Sequence, residues 1–229
     1  MRIAKYLASC GLGARRKCED LVTKGLIKVN DVTVNQLSFN LSTDSDKVFF
    51  NGKEIIPQKK VYYLLNKPVG YTTTLSDPYA EKVLIDLVPN TPPVWPVGRL
   101  DKDTSGLIIL TNDGELTQKL THPKYKKEKE YLAVLDKQLT KNDIEQIKEG
   151  IELDDGFIKP DSINFIGKNQ YQITIHEGRK RIVRRIFKHF GSTVISLKRI
   201  RISELELKGI EIGSYRELTE KELEKLSHA

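Results

Sequence analysis

Apolar and polar positions along the chain follow two periods, and this separates predicted strands from predicted helices. Continuous or alternating apolar runs predict strands, because successive side chains of a strand point to opposite faces. The predicted strands of the longer, C-terminal part are Val61–Asn66, Tyr71–Leu75, Gly106–Thr111, Lys129–Leu135, Tyr171–Ile175, Thr193–Leu197 and Arg199–Ile202. Helical spacing predicts helices at Glu115–Thr121, Thr140–Glu149 and after Gly178, and a capping box of Thr219 and Glu222 opens a last one.

The helix predicted after Gly178 has a regular division of its two faces. Its apolar face consists of Ile182, Val183, Ile186, Phe187 and Phe190, and its basic face of Arg181, Arg184, Arg185 and Lys188. Because Arg184 and Arg185 border the apolar face, we expect at least one of them to turn toward a carboxylate on the sheet. Strands interspersed with helices, without strict strand–helix alternation, predict an α+β domain with a mixed, mostly antiparallel sheet.

The N-terminal part has the pattern of a separate small unit. Short helices are predicted over residues 2–9 and Ala14–Lys24, followed by hairpins around Asn30-Asp31 and Asn51-Gly52. The sequence Pro57-Gln58-Lys59-Lys60 is typical of a linker. We therefore predict a domain at residues 1–58 and a larger one at 59–229.

The positive charge is concentrated in two stretches. The 229-residue chain has a net charge of +7, and residues 1–60 carry 11 Lys and Arg against 6 Asp and Glu. Residues 178–201 hold nine Lys and Arg and no acidic residue. Since solubility is served equally well by mixed charge, two concentrated basic surfaces indicate an anionic partner such as RNA.

Several function classes lack support in the sequence. No apolar run approaches the roughly 20 residues of a membrane span, and the first residues lack the order of a secretory signal, so we expect a cytoplasmic protein. The two cysteines and four histidines show no disulfide framework or ligand spacing, and we expect no metal. No phosphate-binding loop or dinucleotide fingerprint is present, so we expect no cofactor.

The remaining candidate chemistry is that of carboxylate, tyrosine and arginine side chains. The loop that precedes the predicted strand Gly106–Thr111 carries Arg99, Asp101 and Asp103, and a buried strand would hold such a loop rigidly. An isolated turn with a solvated carboxylate would have the same local sequence. The residues alone therefore indicate an RNA-binding protein with a candidate carboxylate nucleophile.

The N-terminal sequence RIAKYLASCGLGARRKCEDLVTKGLIKVNDVTV resembles the alpha-L RNA-binding module first described in a small-subunit ribosomal protein. The resemblance covers about residues 1–56, and it implies that basic helix residues contact folded RNA. The candidate phosphate contacts are Arg2, Lys5, Arg15, Arg16, Lys17 and Lys28. A helix-hairpin unit that only packs against its neighbour remains the structural alternative.

Residues 60–229 resemble the catalytic domain of the RsuA/RluB family of ribosomal RNA pseudouridine synthases. The matching pieces are LLNKPVGYTTT, PVGRLDKDTSGLIILTNDGEL, HPKYKKEKEYLAV and HEGRKRIVRRIF, in this order. The resemblance implies that Asp101 is the catalytic carboxylate, Tyr131 the active-site tyrosine and Arg184 the basic partner of Asp101. Many family members have Gln where this chain has Ile182, which puts one contact near the site in doubt.

The resemblance also implies the partner and the remaining contacts. We expect a monomer that acts without cofactor or metal on ribosomal RNA or a ribosome assembly intermediate, with Arg99, Arg179, Arg181 and Arg185 as further RNA contacts. The large-subunit RNA is slightly favoured over the small-subunit RNA. Two other classes stay open: an assembly factor would need only the basic surfaces, and a nuclease would need histidines or clustered metal-binding carboxylates.

Overall fold

The computed structural model describes residues 1–74 and 81–228, and the chain divides into two compact units. The first consists of Met1–Val61 together with Thr91–Pro93, and the second of Tyr62–Asn90 and Val94–Ala229. No helix within the described residues is both long and apolar enough to cross a membrane.

Two helices and a four-stranded antiparallel sheet form the first unit. Its elements are α1 (Ile3–Ser9), α2 (Arg15–Thr23), β1 (Ile27–Val29), β2 (Val32–Val34), β3 (Val48–Phe50) and β4 (Lys53–Glu54). The strands lie in the order β2-β1-β3-β4. Ile3, Leu7, Cys18, Val22 and Ile27 are fully buried between helices and sheet, as the amphipathic spacing of both helices predicts.

The second unit is built on a large mixed sheet. Its strands are β5 (Tyr62–Lys67), β6 (Trp95–Pro96), β7 (Ser105–Thr111), β8 (Lys129–Leu135), β9 (Ile151–Leu153), β10 (Gly156–Ile158), β11 (Ser162–Gly167), β12 (Gln170–Ile175), β13 (Val194–Ile202), β14 (Leu205–Glu206) and β15 (Tyr215–Glu217). The main path is β11-β12-β8-β13-β7-β5-β15, while β9 and β10 form a separate hairpin. Only the pair β7–β13 is parallel among the strands described, which confirms the predicted α+β class.

The described residues of this unit also form four α-helices. They are α3 (Gly114–Thr121), α4 (Lys141–Glu149), α5 (Ile182–His189) and α6 (Glu220–His228). The apolar residues of β7, which include Leu107 and Ile109, are fully buried because neighbouring strands and α3 cover them. The Asp113 carboxylate caps α3 by accepting from the amides of Glu115 and Leu116.

The structure corrects some predicted elements. Residues 71–74 form no strand, because their backbone bonds go to loops; Leu75, the last residue of that predicted strand, lies outside the described residues. The predicted strands Thr193–Leu197 and Arg199–Ile202 are one continuous strand, β13. The hairpin of β9 and β10, and the strands β11 and β15, were not predicted.

Candidate active site

The loop that carries Asp101 connects β6 to β7. Hydrogen bonds from the segment that follows β5 hold this loop in place. The buried Thr73 hydroxyl donates to the carbonyl oxygen of Leu100 at 2.6 Å and accepts from the amide of the same residue at 3.2 Å. The amide of Gly70 donates to the carbonyl of Lys102 at 2.8 Å. Asp101 therefore stands between two main-chain positions that this segment holds in place.

Asp101 and Tyr131 line the same cleft, which has a volume of about 630 Å³. The Asp101 side chain is 40% exposed, whereas Tyr131 is buried to 9% exposure on β8. Lys129 and Arg199 also line this cleft. The structure thus brings together two of the three residues predicted to be catalytic, with basic side chains beside them.

Arg181 is the arginine that lies nearest to Asp101. Its Nη1 is 3.9 Å from Asp101 Oδ2, and it donates two hydrogen bonds to the Asp103 carboxylate at 3.0 and 2.8 Å. Arg184 instead donates to the main-chain oxygen of Asp103 at 2.8 Å and lies 3.4 Å from its carboxylate. The third predicted catalytic residue is therefore placed beside Asp103, and its partnership with Asp101 stays a prediction.

The charges around Asp103 act on one another. Hydrogen bonds from Arg181 lower the pKa of Asp103, although burial opposes them. Arg184 is more enclosed, and burial lowers its pKa while Asp103 and Asp101 raise it. Lys67 at the end of β5 is fully buried; burial lowers its pKa to about 8, and Asp103 and Asp101 partly offset this effect. Four charged groups thus surround the base of the Asp101 loop.

The other basic residues predicted near the site differ in their partners. Arg99 is exposed and lines the cleft. Arg179 pairs with Glu177 and Asp155, and Arg185 donates to both Asp154 and Asp155 at the turn of the β9–β10 hairpin. Their assignment as RNA contacts stays a prediction. In this structure Arg179 and Arg185 form ion pairs with carboxylates of the protein.

The basic candidates of the first unit are placed as exposed side chains, with one exception. Arg15, Arg16 and Lys17 form the first turn of α2, and no acidic residue lies in that turn. Arg2 and Lys28 are also exposed, whereas Lys5 is half-buried. Cations at a helix N-terminus oppose the helix dipole, and a bound phosphate would compensate them.

Sequence reasoning missed four residues of this region: Lys67, Thr73, Lys129 and Arg199. Lys67 and Thr73 lie in the motif LLNKPVGYTTT, and Lys129 is the first residue of KEYLAV. The motifs therefore include these residues, although they did not indicate a role for any of them. Arg199 lies in a run of basic residues that suggested a surface. Among the described residues, no group of three or more His, Cys, Asp or Glu could hold a metal ion.

Comparisons with known proteins agree with this geometry. Residues 61–189 match the family described as RNA pseudouridylate synthase, and residues 1–48 match the S4 domain. An uncharacterised RNA pseudouridine synthase of Aquifex aeolicus is 43% identical over 100% of this chain and 94% of its own length. The ribosomal large subunit pseudouridine synthase B of Bacillus subtilis is 40% identical over 98% of this chain and 95% of its own length.

Two further relatives extend the comparison. A crystal structure described as that of a pseudouridylate synthase superposes with a TM-score of 0.72 at 30% identity, covering 99% of both chains. A putative chloroplastic ribosomal large subunit pseudouridine synthase of Arabidopsis thaliana is 34% identical over 98% of this chain and 60% of its own length. With matches along its whole length, this chain belongs to the RsuA/RluB-type RNA pseudouridine synthases that carry an N-terminal S4 domain, and it is an isomerase.

Proposed function

We propose that this chain isomerises a specific uridine of ribosomal RNA to pseudouridine, and that its substrate is the large-subunit RNA. The Bacillus subtilis and Arabidopsis relatives, whose names specify the large ribosomal subunit, support this choice. The single observation that carries the proposed chemistry is that Asp101 and Tyr131 line one cleft.

Asp101 is the carboxylate that reacts at the ribose. Isomerisation breaks the bond between C1′ of the ribose and N1 of uracil, and then joins C1′ to C5 of the rotated base. The Asp101 carboxylate either attacks C1′ or removes a proton from C2′ as the glycosidic bond breaks, and it is regenerated when the new bond forms. The reaction conserves every atom, so it consumes no co-substrate.

Tyr131 and the arginines position the reacting groups. The Tyr131 ring offers an apolar face on which the extruded uracil stacks, and its hydroxyl is the candidate group to accept the C5 proton. Arg184 supports the loop through the main chain of Asp103, and Arg181 adds positive charge 3.9 Å from Asp101. Both contacts hold the loop that carries Asp101 in place.

RNA binding compensates the cost of extruding the uridine. Flipping a base out of its stack costs a few kcal/mol, and contacts elsewhere on the RNA offset that cost. The exposed Arg15, Arg16 and Lys17 and the exposed Arg99 beside the cleft supply such contacts. Most of them are phosphate contacts, which hold the RNA without reading its sequence.

Mapping pseudouridines in ribosomal RNA tests this proposal. In cells that lack the protein, we expect one or a few positions of the large-subunit RNA to remain uridine, and the wild-type gene to restore them. Restoration by an Asp101→Asn gene would contradict the catalytic assignment. A change confined to the small-subunit RNA would correct the substrate, and unchanged modification with defective subunit assembly would favour an assembly factor.

A further inference from the structure

Arg199 is a buried arginine whose hydrogen-bonding capacity is only partly used. It is 2% exposed, and its Nε donates to the carbonyl of Leu107 at 2.8 Å. Its Nη2 is buried, and no group of the described residues accepts a hydrogen bond from it. A buried guanidinium nitrogen that lacks a partner is costly, so it is expected to have one in a functional complex. Arg199 lines the cleft of Asp101, which is where a substrate group would bind.

The sheet places Arg199 beside the active-site tyrosine. Arg199 on β13 is the direct cross-strand partner of Tyr131 on β8, so the two side chains share one face of the sheet. Lys129 lies two residues before Tyr131 on the same strand and also lines the cleft. A lysine and an arginine therefore flank Tyr131 at the floor of the cleft.

This floor has an uncompensated positive charge. Within the described part of the chain, neither Lys129 nor Arg199 has a carboxylate within ion-pair distance, and Lys129 donates only to the carbonyls of Lys127 and His176. Burial and, to a lesser extent, the charge of Arg199 lower the pKa of Lys129 to about 8, and the charge of Asp161 opposes them. Two enclosed cations that form no ion pair within the described part of the chain fit a ligand that becomes negatively charged.

The proposed reaction generates such a ligand. When the C1′–N1 bond breaks, its electron pair stays on uracil, and the resulting negative charge spreads over N1, O2 and O4. The pair at C5 then forms the bond to C1′, the C5 proton leaves, and N1 receives a proton, so charge and atoms balance. During rotation the base is an anion that must be stabilised and retained.

We propose that Arg199, assisted by Lys129, binds the uracil anion through an exocyclic oxygen while the base is detached from the ribose. This assignment rests on the proposed function. In it, Asp101 acts on the ribose, and Arg199 is a second group, which contacts the reacting base. The competing anion is an RNA phosphate. A phosphate contact would change affinity, whereas binding of the uracil anion changes the rate of bond cleavage.

A substrate with a better leaving group distinguishes these roles. An RNA carrying 5-fluorouridine at the mapped position releases a more stable anion, because fluorine withdraws electrons. Fluorine replaces the C5 hydrogen, so no C5 proton can leave and ordinary pseudouridine does not form. The measured quantity is therefore the single-turnover rate at which the N-glycosidic bond is lost. With saturating enzyme, the uridine and 5-fluorouridine RNAs are compared for wild type, Arg199→Met, Arg199→Lys and Lys129→Met.

The control variant is Arg201→Met. Arg201 lies on the same strand but pairs with Glu128 and Glu130 and does not line the cleft. Thermal unfolding of each variant reports its folding, and the conservative Arg199→Lys keeps a charge if Arg199→Met does not fold.

We expect Arg199→Met to slow uridine cleavage by about 100-fold or more, with little change in RNA affinity. The defect should be at least about tenfold smaller with 5-fluorouridine, and Arg199→Lys and Lys129→Met should show the same trend to a lesser degree. Equal defects on both substrates in all folded variants, or a loss of affinity alone, would overturn the assignment. A wild-type protein that forms no pseudouridine would instead refute the proposed function.

Discussion

Arg181 and Asp103 form a bidentate ion pair, with N–O distances of 3.0 and 2.8 Å, at the point where α5 begins. Both side chains are more than 40% exposed, and exposed pairs contribute little to stability, typically below about 1 kcal/mol. We therefore expect the main consequence of this ion pair to be the position of the Asp101 loop. The pair links this loop to the first turn of the basic helix.

We predict that Asp103→Asn and Arg181→Gln reduce the single-turnover rate by about 10- to 100-fold while changing the free energy of unfolding by less than about 1 kcal/mol. Chemical denaturation and pseudouridine assays on the single and double variants measure both effects. A coupling of several kcal/mol in stability, with unchanged activity, would mean that the pair is purely structural. Glu204→Gln, which neutralises an exposed carboxylate in the turn between β13 and β14, serves as the control.

Gly106 allows β7 and β13 to approach each other closely. A Cβ at this position would lie 2.2 Å from the carbonyl oxygen of Arg199, and the residue has a φ of +106°. We predict that Gly106→Ala destabilises the protein by at least about 3 kcal/mol, because backbone atoms cannot yield as side chains can. The measurement is denaturant unfolding.

Gly167→Ala separates steric conflict from backbone strain. Gly167 has a similar φ of +96°, and none of the described residues has an atom within 4 Å of an added Cβ. This control should cost about 1–2 kcal/mol from strain alone. If the two substitutions had equal effects, the close approach of the two strands would not be what requires glycine at position 106.

Much of the architecture could be predicted because it depends on local patterns. The strand at β7, the helix α5 with its two faces and the capping box of α6 follow from side-chain periodicity and cap chemistry. The segment Tyr71–Leu75 was predicted as a strand, and its described residues 71–74 form none. Its actual role depends on long-range bonds, such as the one from Thr73 to Leu100, that local sequence does not encode.

The site was only partly predictable for the same reason. Asp101 and Tyr131 lie in motifs that pointed to their chemistry, whereas the importance of Arg199 depends on burial by strands that are distant in sequence. A basic run such as Gly178–Arg201 gives no local sign that one of its arginines faces inward. The contact of Arg184 with Asp103 likewise depends on where α5 begins relative to the Asp101 loop.

Lys67 provides a test of the electrostatics at the base of the loop. Its pKa is about 8 in the folded protein against 10.5 for an ordinary lysine. Between these values the folded state binds fewer protons than the unfolded state, so the stability of the protein should rise with pH in this window. Because Lys67→Met lacks this group, the free energy of unfolding of the wild type relative to this variant should increase by about 2 kcal/mol from pH 8 to pH 10.

Lys24→Met, at an exposed lysine, is the reference for effects of high pH on stability that do not involve Lys67. Its difference from wild type should stay constant across the same range. A flat difference for Lys67→Met as well would mean that Lys67 titrates like a solvated lysine.

The basic first turn of α2 predicts a salt-dependent contribution to RNA affinity. Replacing Arg15, Arg16 and Lys17 by alanine should weaken RNA binding and reduce the slope of log affinity against log salt by about 2, because each phosphate contact contributes roughly 0.7–0.9. Filter binding at several salt concentrations measures this slope. The matched triple variant of Lys24, Lys47 and Lys53, which are equally exposed in the same unit, should change it less. Equal slopes for both triple variants would make the effect one of net charge.

The reactive role of Asp101 is the central claim, and it separates catalysis from binding. Asp101→Asn keeps the size of the side chain and removes its charge in a cleft lined by several basic side chains. The decisive measurement is pseudouridine at the mapped uridine after incubation of modification-free ribosomal RNA with this variant, alongside its RNA affinity. We predict unchanged or slightly tighter binding and no detectable pseudouridine. Conversion at a substantial fraction of the wild-type rate would contradict the account.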